Sequence, residues 1–595
     1  MLANARVLLV NPPHFDMAAL DTAILHSNGY FVYPPMGLLY LAASIEDMDI
    51  RADIIDLNYE TLKWAKKTKN YSADLWKEIL RNKIDGFSPS LVGVTCMFSN
   101  ERNLFEPVLD FLMKMERFAI IAGGPHVSFE YKDLLDAGLC HFALTKECEH
   151  KFPYLLDRLF SLKASKPPVS GIYYKDRGEI RETSGCEGPP NFDIDITNAY
   201  RLLEIEQYCR AGSLNQYSRY IGQEESFTTL QMNRGCRGHC AFCTVHTLMG
   251  SGIRGRSVGT LINEIRYLRN ERGVTVFDWV DDDLLSNRKG LLSLFAALKR
   301  EGLEIKWHSN NGVMASSLSE DLLASMVESG CAGFKIGIES GNPEIRKKIR
   351  KPSSMDKLLE VSESLNKFPE LFVAGNYIIG FPDETFKQML DTFAFANKIN
   401  LDWSGFYICQ PLKGTDIYSG FEELGLTKQT NYIPVRNQGD NLPGNVQDIY
   451  RGMDIFKISH DSTISQHQLQ EVWFTFSIIT NFINNKNLYK KELVHKFTKW
   501  VSGAINAYPS DAGMAFFLYL GFALQGDFTA SSKYYKLTRA LYEGSAYWQS
   551  RFGQFAFLPG LQRQCNTVEE SYDVLVNIRQ HTSCRQRHIV QRDEN

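Results

Sequence analysis

The chain reads as an α/β protein in three parts: a doubly wound parallel sheet, a full or partial barrel of six strand–helix units, and a mostly helical end. Three observations predict this. Short apolar strands alternate with amphipathic helices over residues 1–165 and again over 226–415. A bridge at 166–225, with Pro189-Pro190 inside it, separates the two runs as a linker. From 416 to 595 the strand alternation stops, aromatics and lysines rise, and helical periods take over.

In the first run, strands are expected at Arg6–Val10, Ala52–Leu57, Leu91–Thr95, Phe118–Ala122 and His141–Leu144, with helices such as Gly37–Glu46 and Arg102–Met113 between them. Sheets of this kind bind ligands outside the carboxyl ends of their strands. The loops to watch are therefore Asn11-Pro12-Pro13-His14, Thr95–Asn100 and Gly123-Gly124-Pro125-His126. In the bridge, Gly171–Tyr174 and Glu179–Arg181 read as a hairpin around Asp176-Arg177-Gly178.

The second run predicts strands at Thr228–Met232, Val276–Val280, Glu304–His308, Gly333–Ile338, Phe372–Ile379 and Gly405–Cys409. Helices follow at Val258–Asn270, Lys289–Arg300, Ser319–Glu328, Met355–Asn366 and Glu384–Lys398. A barrel builds its site at the carboxyl ends of such strands. The helical end, with periods at Leu469–Asn484, Lys491–Ala507 and Ala530–Glu543, is expected to cap the barrel mouth. Tyr432, Arg436 and Trp473 are noted there, with no more claim than core or surface residues. The polar stretch from residue 566 onward is expected to fray.

Composition narrows the partners. Over 595 residues, 44% hydrophobic and 23% charged residues give a soluble globular balance that needs several domains. A net charge of −4 and a pI near 6.4 supply no basic field to collect duplex nucleic acid. There is no apolar run of transmembrane length, and the N-terminus lacks the core and cleavage site of a signal peptide. A cytoplasmic protein without a membrane partner is the expectation. In a reducing compartment, the 12 cysteines point to metal or catalysis and not to disulfides.

Asn233-Arg234-Gly235-Cys236-Arg237-Gly238-His239-Cys240-Ala241-Phe242-Cys243 contains the spacing CxxxCxxC, just after a strand. Three thiolates on one loop can bind three irons of a four-iron, four-sulfur cluster and leave the fourth iron open. The alternative is structural zinc, with His239 or His246 recruited as a fourth ligand. A redox CxxC reading fails, because Cys240 and Cys243 come with Cys236.

With an aromatic before its last Cys, this motif resembles the radical S-adenosylmethionine superfamily. Further matches follow in order: Arg256-Ser257, Asp281-Asp282-Asp283, Gly337-Ile338-Glu339-Ser340-Gly341, Ile379–Thr385 and Gln410–Thr415. The resemblance covers roughly residues 225–420 and implies a TIM-like partial barrel. It implies that Cys236, Cys240 and Cys243 ligate the cluster and that Phe242 lies near the adenine. It also implies that Asp281 and Asp282 face the methionine or ribose groups, and that Glu339 contacts S-adenosylmethionine or an Arg that does. The bland alternative for the acidic run is a solvated loop.

The first 165 residues are similar to the Rossmann-like cobalamin-binding domain found before many such enzymes. The carrying residues are Asn11-Pro12-Pro13, Tyr33–Ala42 and Gly123-Gly124-Pro125-His126. The resemblance implies contacts to cobalamin from Asn11, Pro12, Thr95, Ser99, Gly123, Gly124 and His126, with the two glycines allowing close backbone approach. Two departures stand out. The motif DxHxxG, whose His ligates cobalt from below, is absent, so the lower face is expected to meet the Thr95–Asn100 loop. The Gly-Glu-Gly-Glu run late in this domain is replaced by Thr145-Lys146-Glu147-Cys148-Glu149, at an expected domain contact.

Together these imply an enzyme using a 4Fe-4S cluster, S-adenosylmethionine and cobalamin, fed by an external one-electron reductant of flavodoxin or ferredoxin type. The leading expectation is methylation of an unactivated carbon or phosphorus of a small metabolite or peptide. The alternatives are a radical rearrangement or oxidative cyclisation without methyl transfer, and a non-catalytic cobalamin or iron–sulfur sensor.

Overall fold

The computed structural model describes residues 5–68, 71–162, 166–186, 188–427, 455 and 458–590; Tyr432 and Arg436 lie outside them. Two parallel sheets organise the chain. The front sheet holds β1 (Ala5–Asn11), β2 (Ile50–Asp56), β3 (Leu91–Thr95), β4 (Ala119–Gly123), β5 (Phe142–Leu144), β6 (Ile172–Asp176) and β7 (Glu179–Glu182), in the order β2-β1-β3-β4-β5-β6-β7. The first five strands are parallel. The predicted hairpin, β6–β7, adds antiparallel to β5, so part of the bridge belongs to the front sheet.

Strand β1 shows why this sheet is doubly wound. Val7, Leu8, Leu9 and Val10 are all essentially buried, the continuous apolar run of a central parallel strand. Alternate residues enter different cores. Leu8 and Val10 join Phe105, Leu109 and Leu135 on one face. Val7 and Leu9 join, on the other face, a core that continues into the barrel and the C-terminal helices.

The second sheet is a parallel arc of six strands in sequence order: β8 (Phe227–Leu230), β11 (Val276–Trp279), β12 (Lys306–Val313), β13 (Cys331–Glu339), β14 (Phe372–Ile379) and β15 (Trp403–Ile408). Among the described residues the arc does not close, since β8 and β15 are its two ends. A short antiparallel pair, β9 (Asn233–Arg234) with β10 (Arg254–Gly255), brackets the cysteine loop.

The expectation of a mouth cap is corrected in large part. Most of the described C-terminal helices lie at the opposite end and along the open edge, while the helix Gln466–Ile478 begins at the carboxyl end, where Leu469 packs over Gly380. In the helix Val494–Ala504, Trp500 stacks on Phe372, the first residue of β14, at 4.1 Å between ring centroids. Lys496 pairs with Asp402, just before β15, at 2.8 Å. Both contacts lie at the amino ends of the strands. Along β15, Trp473 donates to the Phe406 carbonyl at 2.8 Å, and Asn481 exchanges two hydrogen bonds with Ser404 at 2.6 and 2.7 Å. Side chains thus satisfy an edge that would otherwise offer unpaired backbone groups.

The stretch after residue 566 is also corrected. Val568–Val590 is a helix, and Ser571, Leu575, Ile578 and Thr582 are buried at a helical spacing of four, three and four. Its many polar residues mask a narrow buried stripe, centred on Leu575 and Ile578, of the kind that anchors a helix on one side.

Candidate active site

The cysteine loop leaves β9 at the carboxyl end of the arc, and the three cysteines are partly accessible on it. Gly238 forms its cradle. A Cβ added there would stand 3.6 Å from the sulfurs of both Cys236 and Cys240 and 3.1 Å from Met314. Glycine here lines the loop beside two of the sulfurs, where any larger side chain would crowd a bulky cluster. Burial raises the thiols of Cys236 and Cys240 and pushes Cys243 up to about 11. Iron would hold all three as thiolates. Among the described residues, no group of three or more His, Cys, Asp or Glu is arranged around a single metal ion.

The acidic run is not a solvated loop, and it departs from the expected role. Asp281 is fully buried, and its carboxylate accepts from the Met232 N–H at 3.1 and 3.2 Å and the Asn233 N–H at 2.5 Å. Burial pushes it up to about 8, against the pull of those donors. Asp282 accepts from the Gly235 N–H at 2.9 Å, and Asp283 takes Arg237 in a two-pronged pair at 2.6 and 3.0 Å. Three successive carboxylates thus pin the backbone that leads into the cysteines. Asp281 has both oxygens committed to the protein, while Asp282 is only partly buried.

Phe242 lies 6.1 Å from Phe381 between ring centroids, so the aromatic of the cysteine motif meets the Gly380-Phe381-Pro382 turn after β14. Glu339 ends β13 at a break in register, with φ of +67°. A non-glycine residue in that region costs about 1–3 kcal/mol and marks a constrained site. Its carboxylate pairs with Lys351 at 2.8 Å, and the Lys351 charge also reaches Cys240. The sequence reading missed Lys351, although a lysine soon after a strand-end Glu is a visible signal.

On the front sheet the expected residues divide. Pro12 is buried, Thr95 half-buried and Ser99 exposed at the strand ends. Gly123 has open space above it, with nothing nearer than a carbonyl at 4.0 Å. Three others serve the protein itself. Asn11 donates to Asp56 at 2.9 Å, and that carboxylate caps the helix Leu57–Lys67. Gly124 has φ of +100°, and a Cβ there would strike the Cys96 carbonyl at 2.5 Å, so the backbone itself demands glycine. His126 is buried against Ser99, with Nδ1 at 3.0 Å, and burial lowers it to about 4. His14, paired loosely with Glu101 at 3.8 Å, is also held near 4 by burial. Within the expected Thr95–Asn100 loop, Met97 and Phe98 are large apolar side chains left 50% and 59% exposed. A ligand with a broad apolar face would cover such side chains.

The two ligand edges face each other across direct contacts. Arg234, two residues before Cys236, is 6% exposed and pairs with Glu147 at 2.7 Å and Glu149 at 2.5 Å. Its guanidinium lies 4.9 Å from the Tyr40 ring centroid and 4.2 Å from that of Phe192. Arg254 also binds Glu147. The departure at Thr145–Glu149 is thus a docking site for the cysteine loop, and the Tyr33–Ala42 segment supplies its aromatic wall. A second contact joins Lys413, in the loop after β15, to Glu130 at 2.7 Å, where Gly414 lies against the Phe129 ring.

Comparison with known proteins agrees with this arrangement. The Radical SAM superfamily model matches residues 230–396, and the B12 binding domain model matches residues 23–155. An uncharacterized methyltransferase of Pyrococcus horikoshii is 29% identical over 415 residues, 69% of this chain and 82% of that one. The cytidylyl-2-hydroxyethylphosphonate methyltransferase of Streptomyces wedmorensis is 26% identical over 478 residues, 74% of this chain and 86% of that one. In fold, the chain is similar to TsrM of Kitasatospora setae, a radical S-adenosylmethionine methyltransferase solved with cobalamin and a 4Fe-4S cluster. The TM-score is 0.52 at 16% identity, over 70% of this chain and 77% of that one. It is also similar to the cobalamin-dependent radical enzyme OxsB, with a TM-score of 0.53 at 13% identity, over 96% of this chain and 83% of that one. With a B12-binding domain docked on a radical domain, the chain belongs among the cobalamin-dependent radical S-adenosylmethionine enzymes, and its cofactors are a 4Fe-4S cluster, S-adenosylmethionine and cobalamin.

Proposed function

We propose that this enzyme is a methyltransferase acting at an unactivated carbon or phosphorus of a small metabolite or peptide. The observation that carries the reading is the opposition of the two ligand edges across Arg234–Glu147/Glu149 and Lys413–Glu130. When bound, the cluster and S-adenosylmethionine supply a 5′-deoxyadenosyl radical, and cobalamin supplies a transferable methyl group. The residues present fit these groups. Cys236, Cys240 and Cys243 would hold the cluster over the Gly238 cradle. Phe242, Asp282 and Glu339 with Lys351 would orient S-adenosylmethionine. Met97, Phe98, Thr95, Ser99 and the open backbone at Gly123 would receive cobalamin.

The protein's own task is position and exclusion. The reacting atoms must come within about 3–3.5 Å of one another. The carboxylates of Asp281, Asp282 and Asp283 fix the cysteine loop, and Arg234 fixes that loop to the front domain. An external one-electron reductant of flavodoxin or ferredoxin type and a cytoplasmic setting complete the proposal. Among the described residues, no helix is long and apolar enough to cross a membrane.

The test is anaerobic turnover of the reduced, reconstituted protein. Formation of 5′-deoxyadenosine together with S-adenosylhomocysteine is the expected result. 5′-Deoxyadenosine alone would replace methyl transfer by rearrangement or cyclisation, and neither product would indicate a sensor.

A further inference from the structure

Among the described residues, the inner face of the arc is only partly covered, and its accessibility pattern shows it. On β13, β14 and β15, Lys335, Gly337, Asn376, Ile378, Gly405 and Tyr407 are partly accessible. Their neighbours on the outer face, Phe334, Ile336, Ile338, Tyr377 and Phe406, are buried under the helices. Pairing in register places Gly337, Asn376 and Gly405 side by side, so the inner face carries two glycines around one amide. The missing side chains make the room. A Cβ on Gly405 would come within 3.1 Å of the Tyr407 hydroxyl, and one on Gly337 within 2.8 Å of the Lys351 ammonium. The floor of this space is closed by Tyr217, stacked on His308 at 5.2 Å, with Trp500 against Tyr217 from below.

Among the described residues, one charge in this lumen has no counterion. Lys335 Nζ lies 3.4 Å from the Tyr407 hydroxyl, and among the described residues no carboxylate stands within ion-pair distance of it. Lys351, higher on the same inner face, is already committed to Glu339. Among the described residues, the buried Asn376 side-chain oxygen has no partner; with its amide turned, the same group offers a donor. An ammonium carries three donors, and a partly accessible one facing a lumen leaves donors that an anionic ligand can take up.

We infer that Lys335, with Tyr407 and Asn376, is the anchor for an anionic group of the substrate, a carboxylate or a phosphate or phosphonate. This deepens the function proposed above and rests on it. The geometry suits the role. Lys335 lies two residues below Gly337 and four below Glu339 on β13, so an anchored anion directs the rest of the molecule up toward the cysteine loop. Such anchoring away from the reacting centre is how binding energy becomes orientation.

The experiment uses the holoenzyme loaded with cluster, S-adenosylmethionine and hydroxocobalamin, with methylphosphonate, acetate and ethylene glycol as probes. Lys335 is labelled with an N-hydroxysuccinimide ester and read by mass spectrometry of its peptide, and probe Kd values are taken from NMR line broadening. Protection of Lys335 by methylphosphonate or by acetate, but not by ethylene glycol, is expected, and the more effective anion identifies the substrate's group. Lys335→Met should raise the Kd of that anion by at least roughly tenfold, the scale of a lost charge-assisted bond. Lys335→Arg should restore most of the affinity. Cofactor content of each variant verifies that it folds. Protection by neither anion, equal protection by ethylene glycol, or an unchanged Kd in a cofactor-loaded Lys335→Met variant overturns the inference. Failure to load cobalamin or the cluster at all strikes the function reading instead.

Discussion

The two ends of the barrel are held by opposite chemistries. At the amino ends of the strands, Trp500, Phe372, Tyr217 and Tyr220 form an aromatic plug, and a buried ion pair beside it, Lys496–Asp402, is tied down by further bonds with Asn487 and the Leu371 carbonyl. At the carboxyl ends, the contacts are charged: Asp281–Asp283 on the cysteine loop, Arg234 and Arg254 on Glu147 and Glu149, and Lys413 on Glu130. Aromatic burial is non-directional and fills volume. Hydrogen-bonded ion pairs fix distance and register, and they are costly when broken. The plug supplies stability where no chemistry occurs, and the charged end supplies geometry where it does.

Changes at the two ends should therefore fail in different ways. The largest effect is expected from replacing Cys236, Cys240 and Cys243 together by Ala. The iron–sulfur absorption and all 5′-deoxyadenosine formation should vanish, while cobalamin still binds to the front domain; a four-iron cluster reconstituted in that variant would defeat the ligand assignment. Next, Trp500→Ala should lower stability by about 3–5 kcal/mol, as large-to-small changes of buried aromatics do. Denaturant unfolding measures this, and the molecules that remain folded should keep normal cofactor spectra.

A smaller loss, about 1.5–3 kcal/mol for a charged hydrogen-bonding partner removed, is expected for Glu147→Gln, which leaves Arg254 and part of Arg234 uncompensated. Its mark should be functional: more 5′-deoxyadenosine per S-adenosylhomocysteine, because domain docking loosens while the cysteine loop stays intact. An unchanged product ratio would reduce that cluster to packing. At the bottom of the scale, replacing His14 or His126 should leave the electron paramagnetic resonance of the cob(II)alamin form unaltered, with no nitrogen splitting before or after. Both imidazoles are tied into the front domain's own side-chain contacts. Axial nitrogen coupling that disappears in either variant would show a ligand under cobalt.

Legibility in the sequence followed the range of the interaction. Leu91–Thr95, Arg102–Met113, Val258–Asn270 and Phe372–Ile379 stand where their apolar periods put them, because each period reports a local face turned to one core. The helix at Val568–Val590 was lost to the same method, since a stripe of only a few buried positions is diluted by polar neighbours. Asp281 was visible as part of an acidic run, but a run says nothing about where its oxygens point. Gly124 showed the same ambiguity, because close approach to a ligand and close approach to Cys96 leave the same glycine in the sequence.

By itself, then, the sequence determined two alternating α/β runs, a three-cysteine loop at a strand end and the order of the strand-end motifs after it. These are encoded within a few residues of one another and need no long-range partner to be read. Only the tertiary structure decided that the described strands form an open arc, that most of the described C-terminal helices lie at its bottom and edge, and that Glu147 and Glu149 meet Arg234 from a segment 85 or more residues away. It alone set Lys335 beside Tyr407 in the lumen, with no anion near it among the described residues. Such pairings arise from packing between distant segments, where a charge's partner is chosen by geometry in space and not by spacing along the chain.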